Sequence, residues 1–177
     1  KKIDALEIET EKRAVQLIAL RAPMAADLRD IVAALKISSV VERIGDYAKN
    51  IARRVPLLDD LANIEPLSLL PEMARIATEM VHNVLIAFVE RDAEAAIRVI
   101  ERDRAVDDFY NSIFRTLLTF MMESPQNISQ STHLLFVAKN VERVGDHSTN
   151  IAEMVYYAAT GEYYGDRTKG ADPLQEA

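Results

Sequence analysis

The stretch Val41-Glu42-Arg43-Ile44-Gly45-Asp46 returns one hundred residues later as Val141-Glu142-Arg143-Val144-Gly145-Asp146. Asn50-Ile51-Ala52 returns as Asn150-Ile151-Ala152 and Val55 as Val155, so nine of the fifteen positions 41–55 are identical at this offset. Self-similarity at a fixed period marks a structural unit used twice. Around the first copy, Ile31, Leu35, Val40, Val41, Ile44, Ala48 and Ile51 recur at helical steps. Around the second, Leu134, Val137, Val141, Val144, Ile151 and Val155 do the same. This period predicts one long helix over 24–54 and another from beyond Ser124-Pro125-Gln126-Asn127 to about Thr160.

Working outward, Ile3, Leu6, Ala14, Leu17, Ile18 and Leu20 predict a preceding helix that ends near Ala22-Pro23. Met73, Ile76, Met80, Val84, Ile86, Ala87 and Phe88 predict one from Glu72 to the Arg91-Asp92 break, and a further helix covers 93–122. Between them Pro56, Asp59, Asp60, Asn63, Pro66, Ser68 and Pro71 interrupt any helix and read as a linker. Asp4 stands before Pro23 much as Asp107 stands before Pro125, so the repeated unit is at least a helical hairpin. The second unit has an additional helix in front of its hairpin, whereas the first begins within its hairpin at Lys1. The expected architecture is therefore all-α, a tandem repeat of two antiparallel three-helix bundles with the first truncated at its N-terminal side. Its divisions are a partial first repeat over 1–55, a linker over 56–70, a second repeat over 71–160 and a frayed tail over 161–177.

Composition agrees and removes whole classes of function. Of 177 residues, 49% are hydrophobic and only 5 are Gly, which suits long helices and opposes a protein of many short strands. There is no Cys, so disulfides, thiolate metal sites and cysteine nucleophiles are out. The net charge of −7 opposes a nucleic-acid surface, which needs a basic field. Charges interrupt every apolar run before the roughly 20 residues a membrane span needs. No phosphate-binding glycine loop and no nucleophile elbow occurs, so the chain is not expected to be an enzyme.

Taking Ile44 as reference at 100° per residue, Val41, Ala48 and Ile51 fall within about 60° of it, while Glu42, Asp46 and Asn50 lie about 160° to 240° away. Glu142, Asp146 and Asn150 repeat the arrangement, so each unit carries an acidic spine turned away from its apolar stripe. Like charges four residues apart on a helix cost roughly 0.2–0.5 kcal/mol per pair, which asks for compensation. Arg43 and Arg143 project about 100° round the helix from Glu42 and Glu142 and are poor partners within it. Asp103 and Asp107 form a third such pair on the helix before Glu142 and Asp146, and hairpin packing sets the two pairs face to face. Four carboxylates of this kind suit a hard cation such as Mg²⁺, Ca²⁺, Mn²⁺ or iron, and a solvated acidic face is the other reading. Gly45 and Gly145, placed inside helices where each costs about 1 kcal/mol against Ala, imply that something approaches the backbone closely there. Glu79-Met80-Val81-His82 has the spacing of a di-iron ligand pair, but such sites need two copies, so His82 reads as structural. His147, where the first unit has Tyr47, reads as a helix-surface residue or an accessory ligand, and His133 has no supporting constellation.

The run Leu17-Ile18-Ala19-Leu20-Arg21-Ala22-Pro23-Met24-Ala25-Ala26-Asp27-Leu28-Arg29, with Ala33-Ala34-Leu35-Lys36-Ile37-Ser38 and Glu42-Arg43-Ile44-Gly45-Asp46, closely resembles the PhoU family of phosphate-uptake regulators. The resemblance extends to about residue 165 and implies two similar three-helix bundles. It implies a cytoplasmic, non-enzymatic and commonly homodimeric adaptor, held at the inner face of the membrane by its partners. Those partners would be the ATPase subunit of the phosphate ABC transporter and a sensor histidine kinase, and the adaptor would act as a negative regulator of two-component phosphate-starvation signalling. It further implies metal clusters held by Glu/Asp-x-x-x-Asp motifs. These motifs map onto Glu42 and Asp46 in the first unit and onto Asp103, Asp107, Glu142 and Asp146 in the second, and Asp4 is carried over only by its match to Asp107. The ion is left open among iron, Mn, Mg, Zn and Ca. A metal-storage bundle of the di-iron type and a purely structural helical adaptor are the competing readings. Direct phosphate binding is not expected at acidic faces unless a metal inverts their charge.

Overall fold

The computed structural model describes residues 1–58 and 68–165. Five α-helices run in order: α1 (Lys2–Arg21), α2 (Ala25–Arg54), α3 (Leu69–Glu90), α4 (Ala93–Glu123) and α5 (Ile128–Thr160), with no strand among the described residues. The all-α expectation and four of the five helical spans agree with this to within a residue or so. The difference is at α3, which begins at Leu69 and takes Pro71 into its first turn instead of starting after it. At the third helical position a backbone N–H has no intrahelical partner, so proline loses nothing there and its fixed φ suits the helix. The rest of the expected linker, residues 59–67, lies outside the described residues, as does the tail beyond 165.

The connections are short because the caps are efficient. Arg91 closes α3 in a left-handed conformation (φ 55°), and Asp92 then opens α4 by accepting the Ala95 backbone N–H at 2.9 Å. Ala22 ends α1 in the same left-handed region. Pro125–Asn127 form a 3₁₀ turn before α5, tied back by Asn127 Nδ2 donating to the Phe120 carbonyl at 3.2 Å. At the other end Gly161 (φ 81°) caps α5, and Tyr163 stacks on Tyr157 with ring centroids 4.6 Å apart. The first residues after α5 therefore fold back onto it.

α5 is the central post, packed against α2, α3 and α4, and α1 packs on α2. The core lies mainly in the second repeat, where Met73, Met80, Val84, Val106, Ile113, Leu117, Ile151 and Val155 are almost wholly buried. From the first repeat Ala33 and Ile37 join it, with Val40, Val41, Ile44 and Ile51 half-buried against it. α1 buries only Ala14 and leaves Leu6, Ile8, Val15, Leu17 and Leu20 exposed. In the second repeat the corresponding face is covered by α3, and no described helix holds that place against α1 and α2.

The two repeats meet through their equivalent helices, α2 and α5, which run antiparallel. Arg29 Nε donates to the Ala158 carbonyl at 3.5 Å near one end, and Arg54 reaches His133 at 3.3 Å and lies 4.3 Å over the Phe136 ring near the other. Between these, Tyr47 meets His147, its own counterpart one hundred residues on: the hydroxyl and Nε2 are 3.3 Å apart and the rings lie edge to face at 5.1 Å. Equivalent positions touch only where an axis relating the two repeats passes, so a pseudo-two-fold runs through this pair.

Candidate metal centre

The repeated motif sits at mid-length on α2 and on α5, and at its glycine the neighbouring helix of each hairpin comes close. A Cβ placed on Gly145 would stand 2.8 Å from Asp103 Oδ1 and 3.3 Å from Val106 Cγ1 on α4, and one on Gly45 would stand 2.9 Å from Ile3 Cδ1 on α1. The close approach expected at these glycines is therefore made by a neighbouring helix. Ile3 relates to Val106 by the same offset that relates Asp4 to Asp107, so the packing supports that pairing of aspartates.

In the second repeat the carboxylates are partly or wholly withdrawn from solvent. Asp103 on α4 is buried and Glu142 on α5 keeps 12% of its side chain exposed, with Asp107 and Asp146 half-buried on the same two helices. Burial pushes the Glu142 carboxyl above the ordinary glutamate range, and the charges of Asp146 and Asp103 push it further. Lys139, one turn earlier on α5, opposes this by donating from Nζ to Glu142 Oε1 at 2.7 Å. Burial works to lower the Lys139 pKa, but that hydrogen bond and the Glu142 charge outweigh it and hold the ammonium above the usual lysine value. The ammonium also lies 4.9 Å over the Tyr110 ring of α4. Glu142 Oε2 is buried with no hydrogen-bond partner among the described residues.

The first repeat places its acids differently. Asp46 is exposed and pairs with Lys49 at 3.3 Å, and Asp4 is exposed on α1. Glu42 is half-buried on α2. An acidic spine turned away from the apolar stripe thus describes α2, where Asp46 and Asn50 are exposed. On α5 the expectation fails for a geometric reason: the helix is covered on several sides, so the face opposite its own apolar stripe is packed on α4.

The histidines separate clearly. His82 is exposed on α3, and its would-be co-ligand Glu79 pairs with Arg75. His133 belongs to the Arg54 contact, and His147 to the junction with Tyr47. Burial and then the Arg43 charge lower the His147 pKa, and Arg143 lies 5.8 Å from the Tyr47 ring centroid. The residue that sequence reasoning missed is Lys139. Its signal was present, since a lysine three residues before a glutamate on a helix is at ion-pairing distance.

All the acids of the second repeat are hard oxygen donors, Glu142 offers a buried oxygen without a partner, and Gly145 leaves the space that Asp103 uses. This donor set suits a hard cation. As the side chains stand, no three His, Cys, Asp or Glu among the described residues are close enough together to enclose an ion.

Fold and site define a class: a two-repeat helical protein whose repeats join through equivalent helices and whose conserved-offset motif carries carboxylates at helix junctions. The comparisons with known proteins specify it. The model of the PhoU domain matches residues 1–55 and 70–155, and the chain belongs to the PhoU family. It is 56% identical over 98% of its length to a phosphate-specific transport system accessory protein PhoU homolog of Zymomonas mobilis, of which it covers 73%. It is 47% identical over 99% of its length to the protein of the same description from Caulobacter vibrioides, of which it covers 76%. The crystal structure of PhoU from Pseudomonas aeruginosa superposes with a TM-score of 0.85 at 34% identity, covering 91% of this chain and 78% of that one.

Proposed function

We propose that this chain is a non-catalytic regulator of phosphate uptake that restrains phosphate-starvation signalling, linking the ATPase subunit of a phosphate ABC transporter to a sensor histidine kinase at the cytoplasmic face. The observation that carries this reading is the match along both repeats to relatives described as accessory proteins of phosphate-specific transport. No helix among the described residues is long and apolar enough to cross a membrane, so membrane location would come through the partners. A homodimer is part of the proposal, as the resemblance to the family implies. The test is genetic: in a bacterium lacking its own PhoU homologue, expression of the chain should return a phosphate-starvation reporter to its repressed level in phosphate-rich medium. An unchanged reporter refutes the proposal.

The second part of the reading is that the carboxylates bind a metal ion. Asp103, Asp107, Glu142 and Asp146 would hold it in the second repeat, and Asp4, Glu42 and Asp46 would contribute in the first. Its charge would offset the repulsion among the acids and so stiffen α4 against α5. The buried, unpartnered Glu142 Oε2 favours this over a plain acidic surface. A di-iron storage bundle is disfavoured, because Glu79 is engaged by Arg75 and His82 points outward. Elemental analysis of protein purified without chelator should find metal that is lost in the Glu142→Ala, Asp146→Ala double variant. Equal metal content in both proteins would remove these residues as ligands.

A further inference from the structure

The second repeat already contains a cation. Lys139 Nζ is 2.7 Å from Glu142 Oε1 and sits over the Tyr110 ring, so the ammonium lies between α4 and α5 beside the carboxylates that would ligate a metal. We propose that Lys139 is the resident counter-ion of this cluster and that a metal ion gains Glu142 only by displacing it, so that the second repeat is a cation-exchange site. The inference rests on the metal reading above.

Two observations support it. Glu142 keeps only 12% of its side chain exposed, and a buried carboxylate needs a positive partner, which Lys139 supplies. Lys139 itself keeps 41% of its side chain exposed, so its flexible stem can swing the ammonium to solvent without repacking the core. A protonated amine cannot ligate a metal, so the two cations exclude each other at Glu142.

The first repeat lacks this device. Position 39, equivalent to 139, is Ser, and the lysine nearest its acids is Lys49, which pairs with the exposed Asp46. A cation entering there meets no buried ammonium. A metal bound at the second repeat is paid for by opening the lysine pair, which weakens its apparent affinity by the fraction of time the lysine spends outside.

The experiment is an Mn²⁺ titration of the full chain followed by electron paramagnetic resonance of the free ion, with wild type beside Lys139→Met and Lys139→Arg. Lys139→Gln serves if the Met variant does not fold by circular dichroism. The expected result is binding about tenfold or more tighter in Lys139→Met, wild-type affinity in Lys139→Arg, and loss of the gain when Glu142→Gln and Asp146→Asn are added. Equal affinity in wild type and Lys139→Met overturns the exchange while leaving the metal site standing. No Mn²⁺ bound by either overturns both, and a gain that survives the carboxylate changes overturns the exchange by placing the ion elsewhere.

Discussion

One six-residue motif occupies two settings in this molecule. In the second repeat its glutamate lies inside a three-helix bundle, is answered by Lys139, and stands across from a buried aspartate. In the first the same glutamate is half-buried, the following aspartate is in solvent, and the answering lysine, Lys49, is an exposed neighbour. The motif is the same and the burial differs: among the described residues α5 packs against three helices and α2 against two. A charged pair contributes according to how far it is removed from water, so the chemistry of the two motifs should diverge even though their residues do not.

The largest test of this contrast is in the packing. Met80→Ala removes a fully buried side chain of the second repeat and should cost about 2–5 kcal/mol, whereas Leu20→Ala, at a position 71% exposed on α1, should change stability by less than about 0.5 kcal/mol. Urea denaturation of both variants decides it, and equal losses would mean the α1 face is covered in solution. Next come the glycines, where opposite signs are expected. Gly145→Ala drives a Cβ against Asp103 and the branched Val106 and should destabilise by about 1–3 kcal/mol. Gly45→Ala meets only the far end of Ile3, which is exposed and can turn aside, so the helix propensity of Ala should leave it neutral or up to about 1 kcal/mol more stable.

The carboxylate contrast gives a smaller effect with a definite pH sign. The Glu142 pKa is raised in the fold, so its contribution is fully present below its unfolded pKa and is lost as pH rises through the folded one. Glu142→Gln should therefore match wild type near pH 4 and gain on it in melting temperature as pH rises toward 7, in metal-free protein. A flat profile would place Glu142 in water. The smallest expected change is at the junction, where Tyr47→Phe removes one hydrogen bond to His147 and should cost about 1 kcal/mol or less.

Much of this was legible in the sequence, and what was not has a common cause. The apolar period placed the long helices, the offset of one hundred exposed the repeat, and the two helical glycines announced close approach before any neighbour was known. Helical projection of a single segment, however, reports only which residues share a face. It could not show that the face carrying Glu142 lies against α4, since that depends on how many helices surround α5. Pro71 misled for a local reason: it breaks a helix interior but suits a first turn. The Tyr47 and His147 contact left a trace as an unlike pair at equivalent positions, yet its meaning required the antiparallel crossing of α2 and α5.

That pair has an evolutionary implication. In an assembly of two identical chains, a residue on the symmetry axis can meet only its own copy, so it must suit itself: tyrosine faces tyrosine, or histidine faces histidine. Joining two copies in one polypeptide lifts that restriction, and here the axial position holds two different groups, a tyrosine hydroxyl and a histidine ring nitrogen, that hydrogen-bond to each other. The fused chain can thus make a complementary, directional contact at the one place where a symmetric dimer is barred from doing so, and each half is thereby fixed as first or second.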